Sequence, residues 1–321
     1  MSERSLMADP KKRSKISVIV MISPGISVDS LVPELMDSLH SLRRPFELIL
    51  VDDATTDSTF SMLRRVAQKE KRIRVIRLRT RSGEAGALEA GLRCASGSVV
   101  VYMNAQVRVN PKGIPLLIHR LDEGADFVIG YRFPRRDSFL NRWVSFGFNW
   151  LVSRITQFRF HDVHSGIFAT RREVLNHIRF YGDMVHFIPL LAGQQGYQLV
   201  EQKIEQLPGK FRQSKYPKEY MQRLLDILTV FFLTRYSKKP IHFMGFVGIV
   251  FALVGLAIEI YLFIYRILGL GAIAGRPLLL LGALLLVIGI QMISIGLIGE
   301  MIIFTHADTV KEYNIEEIIN E

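Results

Sequence analysis

Cysteine is almost absent from this 321-residue sequence, in which Cys94 is the single example. One thiol excludes an internal disulfide framework and is typical of a protein from a reducing compartment. An apolar core is equally absent from the first 15 residues, which are polar and basic. We therefore expect no signal peptide, and we interpret residues 1–15 as a disordered tail.

Charge is missing from one long stretch, since residues 277–299 contain no charged side chain. Such a run predicts a helix that spans a membrane. A second apolar block, over residues 243–264, is interrupted only by Glu259. Together the two blocks predict a two-helix transmembrane hairpin within residues 241–304, with its turn near residues 268–277.

Acidic residues are outnumbered, with 30 Asp and Glu against 41 Lys and Arg, and the net charge is +11. This balance suits anionic partners such as lipid headgroups, nucleic acid or phosphorylated substrates. Lys238 and Lys239 precede the first span, so the positive-inside rule places the domain before them and the tail over residues 305–321 in the cytoplasm. Arg266 and Arg276 in the turn weaken that bias. We expect a multi-pass protein of the cell (inner) membrane.

Short apolar segments alternate with amphipathic ones through the first part of the chain. The predicted strands cover residues 16–22, 46–51, 73–78, 98–103 and 126–130, and the helices between them cover residues 31–42, about 59–66, and 83–94. This alternation predicts an α/β fold with a mostly parallel sheet covered on both faces. Residues 141–160 mix aromatics with arginines, which suits a membrane-interface helix and a helix buried against the sheet equally well. Residues 217–240 predict juxtamembrane amphipathic helices.

Polar residues follow two predicted strands at the positions where ligands bind in an open α/β sheet. Asp52 and Asp53 end the second strand; they can accept hydrogen bonds from a nucleobase or ribose, or they can be solvated loop acids. Asn104, Gln106 and Arg108 follow the fourth strand at alternate positions. Amides and an arginine therefore stand where carboxylates are expected.

These residues lie within a set of motifs that resembles the family 2 glycosyltransferases with the GT-A fold, and more narrowly the polyprenyl-phosphate sugar transferases of the dolichyl-phosphate mannose synthase type. The matching segments are 51–59, 83–97, 130–132, 142–149, 162–172 and 214–216. The resemblance covers residues 16 to about 315 and implies a Rossmann-like GT-A domain over residues 16–216. It also implies a nucleotide-diphosphate sugar as donor and a polyprenyl phosphate (undecaprenyl or dolichyl) as acceptor.

The resemblance also assigns roles to individual residues. Those expected to bind the nucleotide sugar are Asp52, Asp53, Asn104 and Gln106 by the resemblance, and Arg81 and Arg108 by their positive charge. Those expected to bind the acceptor phosphate are Arg132, Arg142, Ser145, Ser214 and Lys215. Asp162 is the candidate catalytic carboxylate that would orient the acceptor or the donor sugar, although it can equally bond to a backbone amide in its own turn.

The sequence departs from the family's D-A-D-L-Q motif, which is replaced by residues 104–108. The resemblance implies that the two aspartates hold Mg²⁺ or Mn²⁺, whereas Asn104 and Gln106 supply no negative charge for such an ion. Arginine binds phosphate in a bidentate manner, so Arg81 and Arg108 are candidates to stabilise the diphosphate without a metal. The alternative is that catalysis has been lost.

We therefore predict a membrane-bound inverting glycosyltransferase that acts on polyprenyl phosphate at the cytoplasmic face. The alternative is an inactive or metal-independent paralogue that binds polyprenyl phosphate or an active partner in a polysaccharide pathway. Binding to nucleic acid is not expected, because the basic residues cluster beside membrane helices and form no recognition motif. A homo-oligomer is expected.

Overall fold

The chain forms two compact units, Met1–Ile227 and Leu228–Glu321. The computed structural model describes residues 14–55, 58–134, 161–162, 165–178, 185, 187–207, 240–272 and 276–305. The predicted helix over residues 141–160 and the juxtamembrane segment as far as residue 239 lie outside these ranges. So do residues 1–13 of the N-terminal tail and the C-terminal tail from residue 306.

The first unit alternates strands and helices. Its elements are β1 (Ile16–Ile22), α1 (Val28–Ser41), β2 (Phe46–Asp52), α2 (Thr59–Lys69), β3 (Ile73–Arg77), α3 (Gly83–Cys94), β4 (Val99–Asn104), α4 (Ile114–Asp122), β5 (Phe127–Arg132), β6 (Ile167–Arg171), α5 (Arg172–His177), α6 (Ile188–Gln194) and β7 (Leu199–Ile204). The bounds of β1 and α3 are those predicted from the sequence. The other predicted strands shift by one or two residues, and α1 begins three residues earlier than expected.

The seven strands form one sheet in the order β3-β2-β1-β4-β6-β5-β7. Every pairing is parallel except those of β6, which runs antiparallel to both β4 and β5. A mostly parallel α/β sheet is thus confirmed. Neither β6 nor β7 was predicted from the sequence.

The centre of the sheet is covered on both faces, because every residue of β1, β2 and β4 is buried. That burial explains why these strands are continuous apolar runs rather than alternating ones. On one side, α1 turns Val32, Leu35 and Leu39 into the core. On the other, α3 packs so closely that a Cβ atom at Gly91 would lie 2.4 Å from Cγ2 of Ile19 in β1.

The strand register brings several polar residues to one edge of the sheet. Met21 pairs with Asn104, and Asp52 pairs with both Ile22 and Arg77. Since these strands are parallel, their carboxyl ends meet at that edge. The β6 strand begins there, and the backbone N–H of Asn104 donates a 2.8 Å hydrogen bond to the carbonyl of Gly166.

The second unit is a pair of long apolar helices, α7 (Pro240–Ile267) and α8 (Pro277–Thr305), both long and apolar enough to cross a membrane. They pack through glycines seven residues apart. These are Gly248 and Gly255 on α7, and Gly282, Gly289 and Gly296 on α8. Antiparallel helices therefore approach backbone to backbone, as small residues permit in membranes. The two predicted spans are confirmed as helices, each extended beyond its apolar block.

Candidate active site

The two aspartates at the end of β2 hold the surrounding backbone. Asp52 is fully buried, and its Oδ1 accepts a 3.0 Å hydrogen bond from the N–H of Thr55. Its Oδ2 lies 3.4 Å from Nε of Arg77. Asp53 accepts hydrogen bonds from the N–H groups of Ser82 (2.7 Å) and Gly83 (3.3 Å), which fixes the start of α3 against β2.

A cleft of about 480 Å³ lies beside these aspartates. Its lining residues are Ala54, Thr55, Arg77, Leu78 and Arg79. The volume is within the usual range of small-molecule sites. Arg77 lines the cleft and also pairs with the buried carboxylate of Asp52. A ligand bound in the cleft would therefore contact an arginine that is paired with a buried acid.

Asn104, at the end of β4, has both side-chain polar atoms engaged. Its Oδ1 accepts a 2.9 Å hydrogen bond from the N–H of Gln106, which begins a short 3-10 turn over Ala105–Val107. Its Nδ2 donates a 2.7 Å hydrogen bond to Oε1 of Glu84. The sequence prediction placed Asn104 correctly at a strand end but did not foresee this contact.

Glu84, in the first turn of α3, is the carboxylate that the sequence analysis did not single out. Its Oε2 accepts a 3.2 Å hydrogen bond from the Tyr102 hydroxyl. Burial, followed by the charge of Glu84, raises the pKa of Tyr102 well above its usual value, so the hydroxyl stays protonated and donates. The available signal was an acid in the first turn of a helix that otherwise begins with glycine and alanine.

These residues do not fit a divalent metal ion. Both polar atoms of the Asn104 amide form hydrogen bonds. The carboxylate of Glu84 accepts hydrogen bonds from Tyr102 and Asn104. Within the described ranges, His, Cys, Asp and Glu side chains form no group of three that could hold a metal. A hard cation prefers several carboxylate oxygens, whereas here a single carboxylate, that of Glu84, stands beside an amide, and each of its oxygens already accepts a hydrogen bond.

Two arginines lie near Glu84 and Asn104 in the sequence, and their side chains have no partner among the described residues. Arg81 precedes α3, and Arg108 follows the 3-10 turn; both are exposed. Arg108 has a left-handed backbone conformation with a φ of 55°. Its N–H donates a hydrogen bond to the carbonyl of Ala105, and its carbonyl accepts one from the N–H of Leu207. Neither guanidinium forms a hydrogen bond or ion pair with another residue in the described part of the chain. Both are therefore available to an anionic ligand.

Arg132 and Asp162, predicted to serve different roles, form one buried ion pair. Nε and Nη2 of Arg132 donate hydrogen bonds of 2.6 and 2.9 Å to the two carboxylate oxygens of Asp162. The residues are 8% and 2% exposed. The pair joins the end of β5 to the segment before β6, so Asp162 orients the Arg132 guanidinium. Arg142, Ser145, Ser214 and Lys215 lie outside the described residues.

Comparison with known proteins relates the whole chain to sugar transferases. The sequence profile described as Glycosyl transferase family 2 matches residues 28–179. Dodecaprenyl-phosphate galacturonate synthase of Rhizobium johnstonii is 30% identical over 322 residues, which cover 98% of this chain and 95% of that protein. Undecaprenyl-phosphate 4-deoxy-4-formamido-L-arabinose transferase of Pseudomonas paraeruginosa is 29% identical over 89% of this chain and 85% of its own length.

Solved structures give the fold. Glucosyl-3-phosphoglycerate synthase from Mycobacterium tuberculosis matches 69% of this chain and 82% of its own, with a TM-score of 0.54 and 21% identity. Another structure of that enzyme, which contains Mn²⁺, UDP-glucose and phosphoglyceric acid, has a TM-score of 0.52, covers 69% of this chain and 79% of its own, and is 20% identical. The predicted GT-A fold is confirmed. By fold and by sequence over nearly its full length, the chain belongs to glycosyl transferase family 2.

Proposed function

We propose that this protein is a membrane-anchored transferase that moves a sugar from a nucleotide-diphosphate donor to polyprenyl phosphate at the cytoplasmic face. One observation carries the proposal. The likeness to the dodecaprenyl-phosphate galacturonate synthase extends over 98% of this chain, and so includes both the sugar-transferase unit and the two apolar helices. A relationship limited to the catalytic unit would suggest only a sugar donor; this one also suggests the lipid acceptor.

The acceptor needs little activation. A phosphate monoester has a second pKa near 6 and is largely dianionic at neutral pH. One of its oxygens attacks the anomeric carbon, the bond from that carbon to the diphosphate oxygen breaks, and the nucleoside diphosphate departs with inversion. The protein's task is therefore to position the two substrates and to stabilise the charge on the leaving group.

The leaving diphosphate is assigned to Arg81 and Arg108, with Asn104 and Gln106 beside it. The exposed guanidinium groups have no other partner in the described ranges. Arginine offers paired N–H donors that match phosphate oxygens and keeps its charge at any physiological pH. The nucleoside is assigned to Asp52, Asp53 and the neighbouring cleft.

The acceptor phosphate is assigned to Arg132, which Asp162 holds in place, together with Arg142, Ser145, Ser214 and Lys215. In this arrangement Asp162 acts through Arg132 as a positioning residue. A pair that is 8% and 2% exposed supports that role better than proton transfer, because both carboxylate oxygens already accept hydrogen bonds from the guanidinium.

The decisive experiment incubates purified protein in detergent with undecaprenyl phosphate and a panel of nucleotide sugars. The panel includes galacturonate and 4-deoxy-4-formamido-L-arabinose donors, each with Mg²⁺, with Mn²⁺ and with EDTA. We expect a lipid-linked sugar whose rate of formation is unchanged by EDTA. Loss of a preorganised donor to the leaving group costs about 10²-fold in rate, so Arg108→Ala is expected to slow transfer by about that factor.

The matched control is Arg65→Ala, which removes an exposed arginine from α2. It is expected to leave the rate unchanged. A strict requirement for metal would overturn the arginine assignment but leave the transferase proposal standing. If the protein binds undecaprenyl phosphate and yields no product with any donor in the panel, the inactive-paralogue alternative is favoured.

A further inference from the structure

Gln291 is an exposed amide at the midpoint of α8, fourteen residues from each end of the helix. It faces away from α7. A Cβ atom on Gly289, two residues earlier, would lie 2.5 Å from the backbone N of Ala252 in α7. Two residues turn the helix by about 200°, which places Gln291 on the opposite surface.

This position lies deep in the hydrocarbon layer. A helix of 29 residues is about 43 Å long, whereas the apolar layer of a bilayer is about 30 Å thick. Wherever that layer falls along α8, the helix midpoint is at least about 8 Å from either edge. The Gln291 side chain has two N–H donors and a carbonyl acceptor, and it bonds to no other residue in the described ranges.

An unpaired amide facing lipid is unfavourable, because hydrocarbon offers neither donors nor acceptors. Ser294, one turn further along the same surface, satisfies its polar group within its own helix. Its hydroxyl donates a 3.0 Å hydrogen bond to the carbonyl of Ile290. Gln291 has no such bond. Its amide therefore has no partner among the described residues, and a polar group of a second chain can supply one.

We propose that this partner is Gln291 of a second copy of the protein, so that α8 forms a contact between subunits within the membrane. Two copies inserted in the same direction place Gln291 at the same depth. Across a two-fold axis each amide can donate to the carbonyl of the other, as a self-complementary contact requires. Any other membrane protein would have to present a polar group at that one depth.

The surface around Gln291 suits a helix–helix contact. Val287 and Ile295, one turn away on either side, are 50% and 57% exposed, and Ile298 is 58% exposed. These side chains can pack against their counterparts while the amides pair. The inference depends on the membrane anchoring that is part of the proposed function, but not on sugar transfer.

The chain's single cysteine makes the test direct. In a Cys94→Ser background, Gln291→Cys is introduced and native membranes are treated with a mild oxidant. A disulfide-linked dimer is expected. The control is Phe246→Cys, which is 69% exposed on α7 at a similar depth, since Gly248 contacts Gly289. It is expected to stay monomeric, and equal crosslinking at the two sites would overturn the assignment.

A second measurement uses the intact protein in detergent. The dimer dissociation constant, from analytical ultracentrifugation, is expected to rise about tenfold in Gln291→Leu, and to change little in Gln291→Asn, which keeps the amide. Matching thermal unfolding curves exclude misfolding. A monomeric wild-type protein, or a Gln291→Leu dimer of unchanged affinity, would overturn the proposal. A wild-type protein that dimerises but forms no lipid-linked sugar would contradict only the sugar-transfer proposal.

Discussion

Glu47 shows how a single acid can fasten three segments of the first unit. It is 3% exposed at the edge of the sheet opposite the candidate active site. Its Oε1 accepts hydrogen bonds from the Ser17 hydroxyl (2.7 Å) and the Ser96 N–H (2.6 Å), and its Oε2 lies 2.9 Å from Nζ of Lys15. Burial alone raises the pKa of Glu47, but the hydrogen bonds from Ser17, Ser96 and Lys15 outweigh it and hold the pKa at about 2.

The lowered pKa gives a prediction with a definite sign. The folded state binds the Glu47 proton more weakly than the unfolded state, so the stabilisation is complete above the unfolded value of 4.5 and is lost as the pH falls towards 2. We expect Glu47→Gln to lower the free energy of unfolding at pH 7 by about 2–3 kcal/mol. Urea titrations of the detergent-solubilised protein at pH 7 and pH 3 measure the difference.

Glu89→Gln serves as the control, because Glu89 is exposed and pairs with Arg93 on the surface of α3. Exposed pairs of this kind contribute less than about 1 kcal/mol. If the cost of Glu47→Gln were as large at pH 3 as at pH 7, the carboxylate charge would not be the source of the stability.

At the scale of elements, the close packing of α7 against α8 depends on glycines, which have no side chain. A Cβ atom at Gly289 would lie 2.5 Å from the backbone N of Ala252 and 2.6 Å from the carbonyl oxygen of Gly248. Both neighbours are backbone atoms, so a side chain at this position must push the two helices apart. The contact gains dispersion energy only while the helices stay close.

Gly289→Leu is therefore expected to destabilise the hairpin by about 2–3 kcal/mol, the upper part of the range for overpacking. Thermal unfolding in detergent measures the change. Ala283→Leu adds similar bulk at a lipid-facing position of the same helix and is expected to have little effect. Equal unfolding temperatures for the two variants would show that close glycine packing is not what joins α7 to α8.

The elements predicted correctly from the sequence are those whose own residues determine them. The buried strands β1, β2 and β4 are continuous apolar runs, and α3 lies between a glycine-rich start and the turn that precedes β4. By contrast, β7 includes the polar run from Glu201 to Lys203 and has no apolar alternation. Its existence depends on the neighbouring β5, which no local pattern reveals.

The same limit applies to the candidate site. Asp52 and Asn104 could be placed at strand ends, because the end of an apolar run is visible in sequence. The contact between Asn104 and Glu84 depends on how α3 packs beside β4, and the pairing of Arg132 with Asp162 bridges 30 positions of the chain. Such pairings follow from tertiary packing, so Arg132 and Asp162 were assigned separate roles from the sequence, and Glu84 was assigned none.

For the whole molecule, the proposed reaction depends on the side of the membrane on which the sugar-transferase unit lies. The net charge of +11 and the lysines before α7 favour the cytoplasm, whereas Arg266 and Arg276 at the far end of the hairpin oppose that bias. The proposed reaction takes its nucleotide-sugar donor from the cytoplasm. It therefore requires the same orientation. Both considerations favour the cytoplasmic orientation that we propose.

Cys94 provides the measurement without any added label, since it is the single cysteine and is exposed at the end of α3. We expect a membrane-impermeant maleimide to modify it in inside-out vesicles and to leave it unmodified in sealed right-side-out vesicles. Detergent should restore labelling in the latter, and Cys94→Ser should abolish it in both. Modification in sealed right-side-out vesicles would place the catalytic unit on the opposite face. The lipid acceptor would then have to meet its donor outside the cytoplasm, and the proposed reaction would lose its donor supply.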